Sequence, residues 1–574
     1  MLADQNHEML CKSIPEAGKR TWFSLQILLI FVAWLFLCWL HWDNDGLWYG
    51  DAPRHAANGL FWKDYLLSLS FDPKGYALSY FARYPVIAPT SYPPMFYFLE
   101  AVFFGVLGPS PYIAKGLVLG FVLMAALYTT AWCRRWIGEN AGWAGVLLVL
   151  LPGVVRWSHA IMLNVPALAL SVGALYHLRR WLESPPASPL WRHLYVGAAL
   201  SVMSILTYLT SCVLLLIAGI WLIVERRWRL LWNRRTVMVF VVSALVLLPW
   251  VIVVIKFEPK RIMMATGTTE YFTDLLHGHW AYYLKCCAYY LECLPELFGI
   301  HLLFIAAFGI ASGMLIRRWR HETILLLIMT VVCFTFFAYV PAREGRYILL
   351  LSVPIVCFCM LGLISTVHCF GKLIKMRAEW VRSATLTVIA VLIVGQAWVA
   401  SKVSVLSISG FKQLVGFIEK IAPDDPVFYD GISPNIFVFY LMAGDPDYHR
   451  RAVLGRKLIY AESIVYNPQE FISSPQDAVE VLQKRGGCKW VAVHDRPDAP
   501  QIEAPWHLRK AVKGPEFELV QSLPITRKWT TDMVERNNVC VYRFLVPIER
   551  VDEVDMPLFS LGENVRVRIR PIQH

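Results

Sequence analysis

Three carboxylates fall within nine positions, at Asp43, Asp45 and Asp51, in the stretch that reads DNDGLWYGDAPRH from 43 to 55. Gly46, Gly50 and Pro53 interrupt any regular element there, so the stretch forms a loop that concentrates negative charge where a ligand can meet it. A carboxylate at a low-dielectric boundary can take a proton from an incoming hydroxyl, because desolvation moves its pKa toward the working range. Asp51 is the candidate for that role, while Asp43 and Asp45 suit capping and solvation of the loop. Displacement of a phosphate would also need positive charge, and an arginine fork matches phosphate oxygens bidentately without losing its proton. Arg54 lies one helical turn from Asp51 if a helix opens at Pro53.

The rest of the chain must hold that loop at a membrane boundary. Of its 574 residues 57% are hydrophobic and 17% charged, and mean hydropathy is +0.48, a balance far from that of a soluble protein. The net charge of +12 comes in short basic clusters between apolar runs, which marks membrane topology and excludes a nucleic-acid face. The 23 Trp and 25 Tyr suit many water-lipid interfaces. The 13 Cys mostly sit in apolar runs as small hydrophobes, none with metal-ligand spacing to His; Cys488 and Cys540 form a disulfide only if they lie outside the cytosol, which the sequence leaves open.

Trp22 to Leu40 is long enough to span a bilayer and has no cleavage site after it. Lys19 and Arg20 precede it and acids follow, so the N-terminus is expected in the cytoplasm and the Asp loop outside. The mixed polar and aromatic stretch to Ala88 reads as surface-lying helices, and the apolar run ending at Gly108 as a re-entrant or interfacial piece of the same outer loop, 42–111. Onward from Ile113, alternating apolar runs and basic clusters give about eleven spans, ending with Ala384 to Ala400. Residues 1–401 are thus expected to be a polytopic helical membrane domain. From 402 to 574 the composition is that of a soluble α/β domain, expected outside, with strands at Pro426–Asp430, Lys489–Asp495 and Asn538–Val546 and a helix around Gln476–Arg485.

The loop 50–56 (GDAPRHA), followed at a distance by Tyr92-Pro93-Pro94, resembles the polytopic membrane glycosyltransferases of the GT-C type. Within them it is most similar to the group of the protein O-mannosyltransferases and the lipid A aminoarabinose transferases. The resemblance covers residues 20–370 and rests on the order of parts. It implies a lipid-linked sugar donor, commonly a polyprenyl or dolichyl phosphate ester, and an acceptor that is a glycan, a lipid or a protein. It also implies a catalytic Asp in the first outer loop. Asp51 matches that Asp, Arg54 the basic residue three positions later, and Arg346-Tyr347 the pair that opens a late span. Departures are Ala52 where an acid often follows, Tyr92 where a basic residue or His often precedes the Pro pair, Tyr208 where Lys is frequent, and Asn164 where Asp is frequent.

Lys256, Lys260, Arg261, Arg343 and Arg346 all fall on the expected outer face, where the positive-inside bias would exclude them, so they are candidates for phosphate or headgroup contact. His55, Tyr92, His159 and Tyr208 complete the candidate substrate-binding set. His277 and His279 with Glu270 and Asp274 read more readily as a lid than as a metal cluster, so no metal is assigned and the cofactor is left open. The competing functions are a transporter or flippase of a lipid-linked substrate and a non-catalytic envelope assembly protein. A transporter should carry internal repeats and ionisable pairs at mid-membrane, and neither is evident.

Overall fold

A run such as Trp22 to Leu40 leaves its backbone no partner in lipid except itself, and in the computed structural model it is helical, within Glu16–Leu40. The structure describes residues 16–42, 46–48, 50–185, 188–257, 280–340, 343–461, 469–497, 501–529, 533–549, 551, 553–558 and 563–568. Contacts group the chain into two units.

The first unit comprises Met1–Trp42, Gly116–Ile255 and Arg261–Val403. Among the described residues, six helices of the chain are long and apolar enough to cross a membrane, and two bent pairs raise that to eight. That makes it an integral, multi-pass membrane protein. The sequence expectation of about eleven includes Leu194 to Thr207 and Leu209 to Val224, which fold as the 15-residue helix Trp191–Ile205 and the helical run Leu209–Val224 (a 3-10 turn leading into Val213–Val224), each short of the ~20 residues a crossing needs. At the centre, Ser352–Leu373 packs against Ile300–Leu315 through Gly309 and Gly362; a Cβ on either would strike the other helix's backbone, so only glycine permits this approach.

In this unit Arg179 is buried among three acids. Its Nε donates to Glu322 at 2.8 Å, its Nη1 to Glu225 at 2.7 Å, and its Nη2 pairs with Glu183 at 3.1 Å. Trp132 donates to the other oxygen of Glu322 at 2.8 Å. The ends of Pro111–Trp136, Asn164–Leu182 and Val213–Val224 and the start of Arg317–Tyr339 are thereby tied together by charge.

The second unit comprises Asp43–Lys115, Lys256–Lys260 and Ser404–His574. Its strands are β1 (Ser407–Ser409), β2 (Val427–Asp430), β3 (Ala452–Leu454), β4 (Tyr460–Ala461), β5 (Gln469–Glu470), β6 (Trp490–His494), β7 (Phe517–Lys528), β8 (Val534–Phe544), β9 (Glu553–Leu558) and β10 (Glu563–Arg568). Six of them form one sheet in the order β1-β7-β8-β6-β2-β3, with β6, β2 and β3 parallel. Every residue of β2 and β6 is buried, as parallel strands covered on both faces require. The strands expected at 426–430, 489–495 and 538–546 are all present. The expected helix is Pro475–Val481, closing in a π-turn at Leu482–Gly486. Cys488 and Cys540 are both free thiols.

The helices Asp51–Ser68, Pro73–Arg83 and Met95–Leu107 pack in the same unit as the sheet. Tyr80 donates to Asp64 at 2.7 Å, Tyr84 to Asp445 at 2.7 Å, and Arg83 to the Tyr448 carbonyl. Asp430, at the end of β2, is buried against Arg509 at 2.7 Å, which supplies the charge that its desolvation demands.

Candidate active site

Asp51 is the first residue of Asp51–Ser68 and follows Gly50, whose φ of +103° only glycine adopts without strain. A carboxylate there meets the positive end of the helix dipole. Arg54 sits one turn on, its Nη1 3.3 Å from Asp51 Oδ1, with both side chains about a quarter to a third exposed (30% and 27%). The helix opens at Asp51 and not at Pro53, and the one-turn spacing is as expected.

The loop is pinned at three points. Lys115 Nζ donates to the Gly46 carbonyl at 2.7 Å. Leu47 pairs with Ile408 of β1 as an antiparallel bridge, with bonds of 2.8 and 3.3 Å. Asn435 Nδ2 donates to the Gly50 carbonyl at 3.1 Å, and Asn435 Oδ1 accepts from Arg456 at 2.7 Å. Asn435 stands in the first turn of Pro434–Ala443, just after Ser433, a non-glycine residue at φ +49°. Strain of that kind persists where surrounding contacts over-determine the backbone.

Behind Asp51, His55 is buried, with Nδ1 2.7 Å from the Tyr97 hydroxyl and its ring edge-on to Tyr92 at 4.7 Å. Tyr92 therefore meets an imidazole where the resemblance would place a basic side chain. Asn58, one turn beyond His55, accepts from the Ala88 amide at 2.9 Å and holds the segment leading to Tyr92. Glu100 is fully buried in Met95–Leu107, and burial holds its carboxyl well above the ordinary carboxylate range.

The candidates in the membrane unit lie as follows. Arg346 opens the 3-10 turn Gly345–Leu351; Nε and Nη2 face Glu344 at 2.8 and 2.9 Å, Nη1 meets Met162 Sδ, and the guanidinium lies over Trp157 and Tyr347 at 5.6 and 5.5 Å. Its charge is thus already paired with the acid two positions earlier. Tyr208 stacks on Tyr347 at 6.4 Å, so these two candidates share one aromatic patch. Arg343 is partly exposed. His159 is buried, its ring nitrogens 3.0 Å from the Leu37 and Val155 carbonyls, and it cross-links two helices. Lys260, Arg261, His277, His279, Glu270 and Asp274 lie outside the described residues, as do Asp43 and Asp45. Among the described residues no cluster of three or more His, Cys, Asp or Glu could hold a metal.

Sequence reasoning missed Asn435, Arg456 and Tyr97. The first two follow β2 and β3 at the carboxyl ends of parallel strands, the position where open α/β sheets bind ligands, and a strand prediction for β3 would have pointed to Arg456.

No protein-family profile matches the sequence, and no curated protein matches it. Solved structures do. ArnT from Cupriavidus metallidurans bound to undecaprenyl phosphate is 16% identical with a TM-score of 0.59, over 91% of this chain and 98% of that one. The fold is that of the GT-C membrane glycosyltransferases. The archaeal oligosaccharyltransferase AglB from Archaeoglobus fulgidus, in complex with an inhibitory peptide and a dolichol-phosphate, is 13% identical with a TM-score of 0.52, over 82% of this chain and 69% of that one. Arabinofuranosyltransferase AftD from Mycobacteria is 14% identical with a TM-score of 0.51, over 93% of this chain and 40% of that one. The GT-C fold accounts for the combination of apolar helices with a sheet-containing C-terminal part.

Proposed function

We propose that the protein is an integral membrane glycosyltransferase that moves a sugar from a polyprenyl-phosphate donor to a hydroxyl of an extracytoplasmic glycan, lipid or protein. In this reading Asp51 takes the proton of the acceptor hydroxyl. The freed oxygen attacks the anomeric carbon, the bond from that carbon to phosphate breaks, and its electron pair leaves on the lipid phosphate. In-line attack inverts the sugar carbon.

The observation that carries the reading is the Asp51–Arg54 pair at 3.3 Å, at a helix start pinned on three sides, in a fold shared with an enzyme bound to undecaprenyl phosphate. The pair also supplies a trigger. A donor phosphate that draws the Arg54 fork to itself loosens the Asp51–Arg54 pair, which makes Asp51 a better proton acceptor as the substrate arrives. Arg343 and Arg346 are proposed as lipid-phosphate contacts on side-chain chemistry alone, and Glu344 must release Arg346 for that role. In this reading the N-terminus is cytoplasmic and the Asp51 loop outside, which the recurring basic clusters between apolar runs support, among them Arg134-Arg135, Arg179-Arg180, Arg226-Arg227 and Arg317-Arg318.

The test is transfer from a labelled polyprenyl-phosphate sugar to crude envelope acceptors. Asp51→Asn and Asp51→Ala should insert and melt like the parent protein and lose turnover by ~10²–10⁴-fold. Unchanged turnover in Asp51→Ala would falsify the assignment.

A further inference from the structure

Alongside β3, within the second unit, runs a cleft of about 170 Å³ that the reaction proposed above does not use. Four cations line it, Arg451, Lys457, Lys484 and Arg485, against a single acid, Glu553. Arg451 is buried and held by the Gly486 carbonyl at 2.7 Å, and Lys484 is paired with Glu480 at 2.6 Å. Lys457 lies over the Phe81 ring at 4.1 Å, a contact that holds an ammonium without neutralising it. The remaining walls are apolar, so the cleft combines a place for one or two negative oxygens with a surface for a sugar ring or short carbon chain.

Lys457 follows β3 at its carboxyl end, and Arg456 beside it reaches Asn435, which holds Gly50 next to Asp51. Burial first, and then the like charges of Arg456 and Arg54, disfavour the Lys457 ammonium, so an arriving anion that pairs with it offsets both. We propose that this cleft is an anion subsite, with Lys457 as its central contact, that takes the phosphate or carboxylate of the sugar acceptor. The acceptor assignment rests on the transferase reading; the anion site does not.

The experiment uses the full chain in neutral detergent and follows its melting temperature at constant ionic strength. The probes are glucose 1-phosphate, glucuronate and uncharged glucose, and, in nanodiscs, phosphatidic acid against phosphatidylcholine. Both soluble anions should stabilise the protein and glucose should not. Lys457→Met should weaken anion binding about tenfold or more, and Arg485→Gln by a smaller factor, whereas Lys457→Arg should stay within about threefold of the parent. Asp51→Asn should bind the anions normally. Protection by phosphatidic acid alone identifies a lipid-borne source for the same group, and protection by the soluble anions a glycan-borne one. Equal shifts with glucose, or unaltered binding in Lys457→Met, overturn the site. Intact anion binding in a parent protein that transfers no sugar keeps the site and overturns its assignment to an acceptor.

Discussion

The Asn435 side-chain amide donates to the Gly50 carbonyl at 3.1 Å, across 385 positions of chain. The residue before the candidate base is therefore held by a helix far along the sequence, and the precision of Asp51 depends on that helix. Asn435→Ala should lower turnover by up to about tenfold, the equivalent of one hydrogen bond of ~0.5–1.5 kcal/mol, with a smaller effect on donor KM. Steady-state kinetics with the labelled donor separate the two.

Gly50→Ala tests the backbone alone. A Cβ at this position meets nothing within 4 Å, yet φ is +103°, so the cost is conformational, ~1–3 kcal/mol, with no clash. Turnover should fall while the protein still inserts, and a turnover equal to the parent's would show that the loop adopts another conformation during the reaction.

Arg179 is the counter-charge for Glu225 and Glu322 in the membrane unit. Arg179→Met leaves Glu322 without its cation and Glu225 with the exposed His321 alone, and should destabilise the protein by ~3–5 kcal/mol, read as a lower melting temperature in detergent. Adding Glu322→Gln to Arg179→Met should restore part of the loss, because one of the stranded charges is then gone.

Burial, reinforced by Arg456 and Arg54, pushes the Lys457 ammonium down to about 7. The groups facing the cleft with it are Arg451, Lys484, Arg485 and Glu553. Its charge is present below about pH 7 and lost above it, so anion binding in the cleft should weaken between pH 6 and pH 8, and that slope should vanish in Lys457→Met. The contribution to stability has the opposite sign. Between about 7 and 10.5 the unfolded chain binds the proton and the folded one does not, so this group's penalty is full below 7 and is relieved as pH rises through that window. Binding isotherms and melts at matched pH separate the two trends.

Much of this was legible locally. The Asp51–Arg54 spacing, the apolar runs and the strands 427–430 and 490–494 follow from residue type and period, which act over a few positions. The supports of the site were not. Nothing near Leu47 shows that it bridges Ile408, and nothing near Asn435 shows that its amide reaches Gly50, because both are long-range pairings. Arg346 has a partner of another kind: it pairs with Glu344 two positions earlier, a relation that depends on the turn between them.

The Leu47–Ile408 bridge carries a practical consequence for engineering. Exchanging the C-terminal third between relatives in order to graft a new acceptor preference would separate the two halves of that pairing. Residues 43–115 must travel with it as one cassette, and a chimera joined near 404 without them should keep the entire GDAPRHA motif and yet be inert.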